Sequence, residues 1–139
     1  MISAPPMTMA PRGRSGAVGA GATAEERDVR TQRGAVVTGA SRGAGRGIAH
    51  ALGSHGCTVY VTGRTRNANE SGLSGTIDDT AAMVTAAGGE GIAVAVDHAD
   101  DEQTKALFAQ IEGEHGRIDI LVNNAATIRD EMMGPTKFW

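Results

Sequence analysis

The stretch Thr38-Gly39-Ala40-Ser41-Arg42-Gly43-Ala44-Gly45-Arg46-Gly47-Ile48-Ala49 decides the fold. It follows a short apolar run, Ala35-Val36-Val37-Thr38, flanked by glycine as a buried parallel strand is. It leads into Ile48, Ala49, Leu52 and His55 at helical spacing, and Gly56 ends that helix. A glycine turn between a strand and a helix N-terminus is a phosphate site on physical grounds. Gly39 permits the sharp turn, Gly43 lets backbone approach a pyrophosphate, and Gly45 allows close helix–strand packing. The helix start adds N–H groups and the positive end of its dipole. Glycines alone say little in a chain that has 20 of them. Their place after the first strand separates a phosphate site from a ligand-free tight turn.

Outward from this turn the pattern alternates. Cys57-Thr58-Val59-Tyr60-Val61-Thr62 is β-branched and aromatic, hence a second strand. Residues 64–75 are polar, with glycines and asparagines, and read as a loop. Thr76 caps a helix with Ile77, Ala81, Val84 and Ala87 on one face and Asp79 at the capping-box position. Gly88-Gly89 stops it. Gly91-Ile92-Ala93-Val94-Ala95-Val96 reads as a third buried strand. Asp100 and Gln103 form another capping-box pattern before the amphipathic helix of Leu107, Phe108, Ile111 and His115, which Gly116 ends. Ile118-Asp119-Ile120-Leu121-Val122 is a fourth strand, and residues 123–139 show no period. Alternating strands and helices imply an α/β fold with a doubly wound parallel sheet covered on both faces. Right-handed crossovers give the strand order 3-2-1-4.

Composition bounds the rest. The 139 residues are 40% apolar and 21% charged, room for one domain. A single cysteine, Cys57, excludes a disulfide framework, and no Cys/His cluster has zinc spacing. No apolar run reaches the ~18 residues of a membrane span. A net charge of -3 argues against nucleic-acid binding through phosphate contacts. Residues 1–33 hold five arginines and three acids, without apolar period, and are expected to be a disordered extension. They lack the apolar core of a secretory signal. The expected location is cytoplasmic, with organelle targeting through residues 1–33 as the lesser alternative.

Three motifs carry a resemblance. The spacing T-G-x-x-x-G-x-G followed by Ile48-Ala49, the run Asn123-Asn124-Ala125-Ala126 after the fourth strand, and Asp97 closing the third resemble the short-chain dehydrogenase/reductase family. Ala126 departs from the family's usual glycine. Gly75-Thr76-Ile77-Asp78-Asp79-Thr80, Asp97-His98 and Phe138-Trp139 resemble its dehydrogenase/reductase member 1-like subgroup. The resemblance implies a partial, truncated Rossmann-type domain over residues 34–139. It also implies cofactor contacts at Thr38, Gly39, Ser41, Arg42, Gly43, Gly45, Arg64, Asp97, Asn123 and Ala125. Asp97 would bind the adenine amino group and Asn123 a cofactor ribose, while Asn124 ties strands together.

NAD-dependent relatives place an acid just after the second strand. Here Gly63 stands in that place, and no Asp or Glu occurs between Cys57 and Asn69. Arg64 and Arg42 would pair with a 2′-phosphate that an acid would repel, so NADP(H) is expected over NAD(H). The opposing reading makes Arg64 a solvated loop charge. Relatives transfer hydride to or from a carbonyl or alcohol substrate with a serine and a Tyr-x-x-x-Lys pair. The single tyrosine here, Tyr60, has Arg64 four residues on, and neither Lys105 nor Lys137 follows a tyrosine at that spacing. No catalytic residue is therefore assigned, and His50, His55, His98 and His115 read as surface or capping groups. The expected function is an oxidoreductase present as its cofactor-binding portion, inactive alone, with homo-oligomers only in a full-length form. The alternatives are a non-catalytic dinucleotide-binding module or a non-functional fragment. The edge at Ile118–Val122 would be an aggregation site.

Overall fold

In the computed structural model, which describes residues 32–68 and 72–135, four strands form one parallel sheet. They are β1 (Gly34–Val37), β2 (Thr58–Gly63), β3 (Glu90–Ala95) and β4 (Ile120–Val122), in the order β3-β2-β1-β4. Three helices alternate with them: α1 (Gly43–Ser54), α2 (Ile77–Ala86) and α3 (Asp101–Glu114). A 3-10 turn, Asp130–Met132, follows β4. Residues 1–31 of the expected extension, and 136–139 of the aperiodic tail, lie outside the described residues.

Side-chain alternation assigns the faces. Ala35, Val37, Val59 and Val61 pack with Ala49, Ile77, Ala81 and Val84, so α1 and α2 cover one face. Val36 and Tyr60 turn the other way and pack with Leu107 and Ile111 of α3. The registers Val36↔Tyr60 and Val36↔Leu121 fix this division across the sheet. Each fully buried aliphatic side chain contributes about 1.5–3 kcal/mol.

Three local readings need correction. The buried stripe of α1 is Gly45, Ala49 and Gly53, with Ile48 37% exposed, rather than Ile48–Leu52–His55. The cause is contact distance: a Cβ on Gly53 would lie 2.9 Å from Val84 Cγ1 and from the Val84 carbonyl oxygen. Small residues therefore face the neighbouring helix, and His55 is exposed. β3 is only half-buried, because it is the sheet's edge and not an interior strand. His115 is the C-cap of α3, as the capping reading has it, but it is buried rather than superficial. Its Nε2 meets the Gln32 carbonyl at 3.0 Å.

The helix starts follow their local chemistry. Thr76 Oγ1 accepts from Asp79 N at 3.0 Å, and Thr76 N donates to Asp79 Oδ2 at 3.2 Å, a complete capping box. Asp100 caps α3 through the N–H groups of Glu102 and Gln103. The second half of that box is redirected: Gln103 Oε1 accepts from Asp97 N at 2.9 Å, three residues before the cap.

Asp119 ties the start of β1 to the start of β4. Gly34 N donates to Asp119 Oδ2 at 2.8 Å, and Asp119 N donates to the Gly34 carbonyl at 2.8 Å. The first bond holds the Asp119 carboxyl below its ordinary pKa. A depressed folded-state pKa gives stability that is present above the unfolded value and lost as pH falls through the folded one. Melting temperature is therefore expected to fall on acidification below about pH 4. Asp119→Asn should flatten that slope in a pH series of thermal melts.

β4 pairs with β1 on one side and with no other described strand. Leu121, on the α3 face, is 48% exposed. An unpaired apolar edge recruits other chains. The chain is expected to self-associate at roughly 10–100 μM, and Leu121→Lys should weaken that association in sedimentation velocity. A monomeric wild type with a cooperative melt would refute it. Among the described residues, no helix is long and apolar enough to cross a membrane, and no group of three His, Cys, Asp or Glu side chains could hold a metal ion.

Candidate functional site

The turn at residues 38–42 follows the carboxyl end of β1 and lies beside those of β2 and β4. In open α/β sheets this is the edge where ligands bind. Ala40 N donates to the Thr62 carbonyl at 2.9 Å, and Thr38 N donates to the Val122 carbonyl at 3.0 Å. The turn is thereby stitched to β2 on one side and β4 on the other. Gly39 and Gly43 both have left-handed backbone, with φ of 64° and 57°. Side chains other than glycine are strained there.

Thr38 and Asn124 lock the turn to the segment after β4. The Thr38 hydroxyl accepts from the N–H groups of Asn124 and Ala125, each at 2.9 Å, and donates to the Val122 carbonyl at 3.3 Å. Asn124 Nδ2 donates to the carbonyls of Thr38 and Gly39 at 3.1 and 3.0 Å. Asn124 thus ties the sheet together, as its expected role requires. A Cβ on Gly45 would come within 2.5 Å of Asn124 Nδ2 and of the Gly39 carbonyl. A Cβ on Gly39 would lie 2.9 Å from Ala125 Cα. Gly39 and Gly45 are therefore required by close approach, whereas a Cβ on Gly43 would meet nothing within 4 Å. The space over Gly43 is open to a ligand.

The start of α1 differs from those of α2 and α3. Its N-cap, Arg42, makes no side-chain cap, and its first turn carries no acid. The other two helices have capped starts and acids in the first turn.

The remaining expected contacts are spread around this edge. Ser41 is half-buried in the turn. The Arg42 guanidinium reaches Thr65 Oγ1 at 3.2 Å and the Gly75 carbonyl at 3.5 Å, so it braces the loop before α2. Arg64 is exposed at the end of β2 and forms no ion pair among the described residues. Arg66 donates to the Ala93 carbonyl at 3.4 Å. Asp97 is half-buried and its Oδ1 accepts from Ala99 N at 3.0 Å. Asn123 and Ala125 are exposed beside the turn. At the place of the acid, a Cβ on Gly63 would lie 3.0 Å from Ile77 Cγ2. The first residue of α2 occupies the room a side chain would need.

Tyr60 sits apart from this edge. It is 1% exposed, on the α3 face, and its hydroxyl donates to Glu114 Oε2 at 3.0 Å. Glu114 ends α3, at the opposite end of the strands. Burial and the Glu114 carboxylate push the phenol pKa well above its ordinary value, so it stays protonated.

The model of short chain dehydrogenases matches residues 33–137. The chain belongs to the short-chain dehydrogenase family. The mouse dehydrogenase/reductase SDR family member 1 is 41% identical over 107 residues, covering 75% of this chain and 32% of that protein. A 3-oxoacyl-acyl-carrier-protein reductase of Staphylococcus aureus is 34% identical over 99 residues, covering 71% of the chain and 37% of the reductase. A metagenomic short-chain oxidoreductase solved in complex with NADP superposes with a TM-score of 0.61 at 36% identity, covering 71% of the chain and 41% of that structure. A short-chain dehydrogenase of Mycobacterium thermoresistibile gives 0.64 at 31% identity, over 73% of the chain and 35% of that structure. This short-chain dehydrogenase chain spans about a third of the length of the curated relatives it matches. The resemblance to the member 1-like subgroup thus finds a relative at 41% identity.

Two features escaped the sequence reading. Gln103 holds Asp97 N, and Thr62 Oγ1 meets His98 Nε2 at 2.7 Å. Neither pair has a local spacing that announces it.

Proposed function

We propose that this chain is the cofactor-holding portion of an NADP(H)-dependent oxidoreductase acting on a small carbonyl or alcohol substrate. Residues 34–139 form the nucleotide-binding unit on this reading, and residues 1–33 an extension. The observation that carries it is the start of α1: uncapped, acid-free and open over Gly43. The donor set fits a pyrophosphate, which backbone N–H groups and a helix dipole hold without any charged side chain. Arg64 supplies an exposed guanidinium at the end of β2 for a 2′-phosphate. The Asp97 carboxylate, fixed at one oxygen by Ala99 N, would accept from an adenine amino group with the other. Asn123 would hold a ribose, while Ala125 keeps that wall low. The dinucleotide, when bound, supplies or accepts the hydride.

A relative solved in complex with NADP supports a dinucleotide cofactor. The 139 residues include no Tyr-x-x-x-Lys pair. Nucleotide binding is therefore the activity proposed for the chain by itself, and hydride transfer for a protein that also carries that pair. Titration calorimetry of the chain with NADPH and with NADH tests this. NADPH should bind, and more tightly than NADH. Binding of neither, by a chain with a cooperative melt, would overturn the proposal.

A further inference from the structure

Thr62 is the fully buried next-to-last residue of β2. Its hydroxyl lies 2.7 Å from His98 Nε2 and 3.3 Å from the Val37 carbonyl oxygen. A carbonyl can only accept, and a threonine has one hydroxyl hydrogen. Both bonds exist together when Thr62 donates to Val37 and accepts from Nε2–H of His98. That assigns the neutral tautomer of His98, with Nδ1 left able to take a proton.

This bond spans the two strand ends that bracket the proposed adenosine site. Gly63 and Arg64 follow Thr62, and Asp97 precedes His98. The turn bearing His98 is fixed on three sides. Ala99 N donates to Asp97 Oδ1, Gln103 Oε1 accepts from Asp97 N, and Asp100 N donates to the Asp97 carbonyl. His98 caps no helix, since Asp100 caps α3.

We propose that His98 is a proton-responsive member of the nucleotide site. Protonation at Nδ1 keeps Nε2–H on Thr62 and puts a cation between the ends of β2 and β3. Affinity for a phosphorylated adenosine then rises as the ring charges. This inference rests on the proposed function of the same edge. Burial pushes the imidazole below its ordinary value of 6.5, against the opposing pull of Asp97. Among the described residues, Asp97 is the charge that acts on the ring, from within its own turn. The groups facing it from β2 and β1 are the uncharged Thr62 and Val37, and Arg64 beyond them is exposed. Gln103, from α3, is also uncharged. The ring is neutral near pH 7.5, and acidification charges it.

The test is calorimetric titration of the full chain with adenosine 2′,5′-bisphosphate at about pH 7.5 and about pH 5.5, for wild type and His98→Gln. Glutamine keeps an N–H donor for Thr62 and cannot titrate. The ligand's own phosphates titrate in this window, but equally for both proteins, so the wild-type to variant affinity ratio isolates His98. That ratio is expected to rise roughly three- to tenfold at the lower pH, as one added unit charge near a solvated phosphate gives. A second readout needs no variant: in the wild type, the His98 pKa followed by ring NMR should rise when the ligand saturates the site. A ratio that does not change with pH, or a His98 pKa unmoved by ligand, overturns this inference alone. Absence of binding at both pH values overturns the proposed function and this inference together.

Discussion

Gly45→Ala should lower the melting temperature by roughly 10 °C, while Gly47→Ala, two residues on, should raise it by a few degrees. Both glycines lie in α1, where replacing glycine with alanine ordinarily stabilises by about 0.5–1 kcal/mol through the unfolded chain. Neither has left-handed backbone. Space alone sets the sign. A Cβ at Gly47 meets nothing within 4 Å, so only the entropic gain remains. A Cβ at Gly45 comes within 2.5 Å of the Gly39 carbonyl and Asn124 Nδ2, and 3.0 Å from Ala40 Cα. Two of these atoms are backbone and cannot swing away. Relief requires α1 to back off from the turn, and overpacking of this kind costs about 1–3 kcal/mol. Where Asn124 gives way instead, its Nδ2 bonds to the Thr38 and Gly39 carbonyls are lost, at about 1 kcal/mol for each acceptor left unsatisfied. Nucleotide affinity should fall with stability, because the displaced groups are those beneath the proposed phosphates. A Gly45→Ala protein that melts like wild type would refute the close approach of α1 to the turn.

The pair also shows what a sequence can and cannot reveal. The Thr38–Gly45 turn and the Thr76–Asp79 box were legible because each depends on residues a few places apart, and the strand order because alternating strands and helices restrict the topology. The need for glycine at 45 was legible as well, though the expected neighbour was a strand and the actual one is Asn124, 79 positions along the chain. α1 was misread because its buried face is set by α2, where Gly53 meets Val84, and not by its own apolar residues. β3 was read as buried because an apolar run does not show how much of an edge strand its neighbours cover. His98 and Thr62 are 36 residues apart, and no spacing in the sequence links them. Only the folded sheet brings them together. Local chemistry was visible, and long-range partners were not.

Arg64→Asp should separate the two nicotinamide cofactors. The wild-type guanidinium is exposed at the end of β2 and forms no ion pair among the described residues. Its replacement should leave the melt within about 0.5 kcal/mol of wild type, as for a surface site away from structural features. Binding is another matter. The substitution removes a charge-assisted hydrogen bond, worth about 1.5–3 kcal/mol, and puts a carboxylate where a 2′-phosphate would lie. The NADPH dissociation constant should rise roughly 30- to 100-fold, and that for NADH by less than about threefold. Arg66→Asp is the matched control. Arg66 is also exposed, but its guanidinium donates to the Ala93 carbonyl of β3, so its loss should weaken both cofactors slightly and equally. Salt supplies an independent check, since wild-type NADPH binding should weaken from 0.05 to 0.5 M ionic strength more than Arg64→Asp binding does. Equal losses of NADPH and NADH in Arg64→Asp would remove Arg64 from the 2′-phosphate and return it to the solvated loop charge that its exposure alone would suggest. A selective loss with an unchanged melt leaves no such reading, because a purely structural role cannot distinguish two ligands that differ by one phosphate.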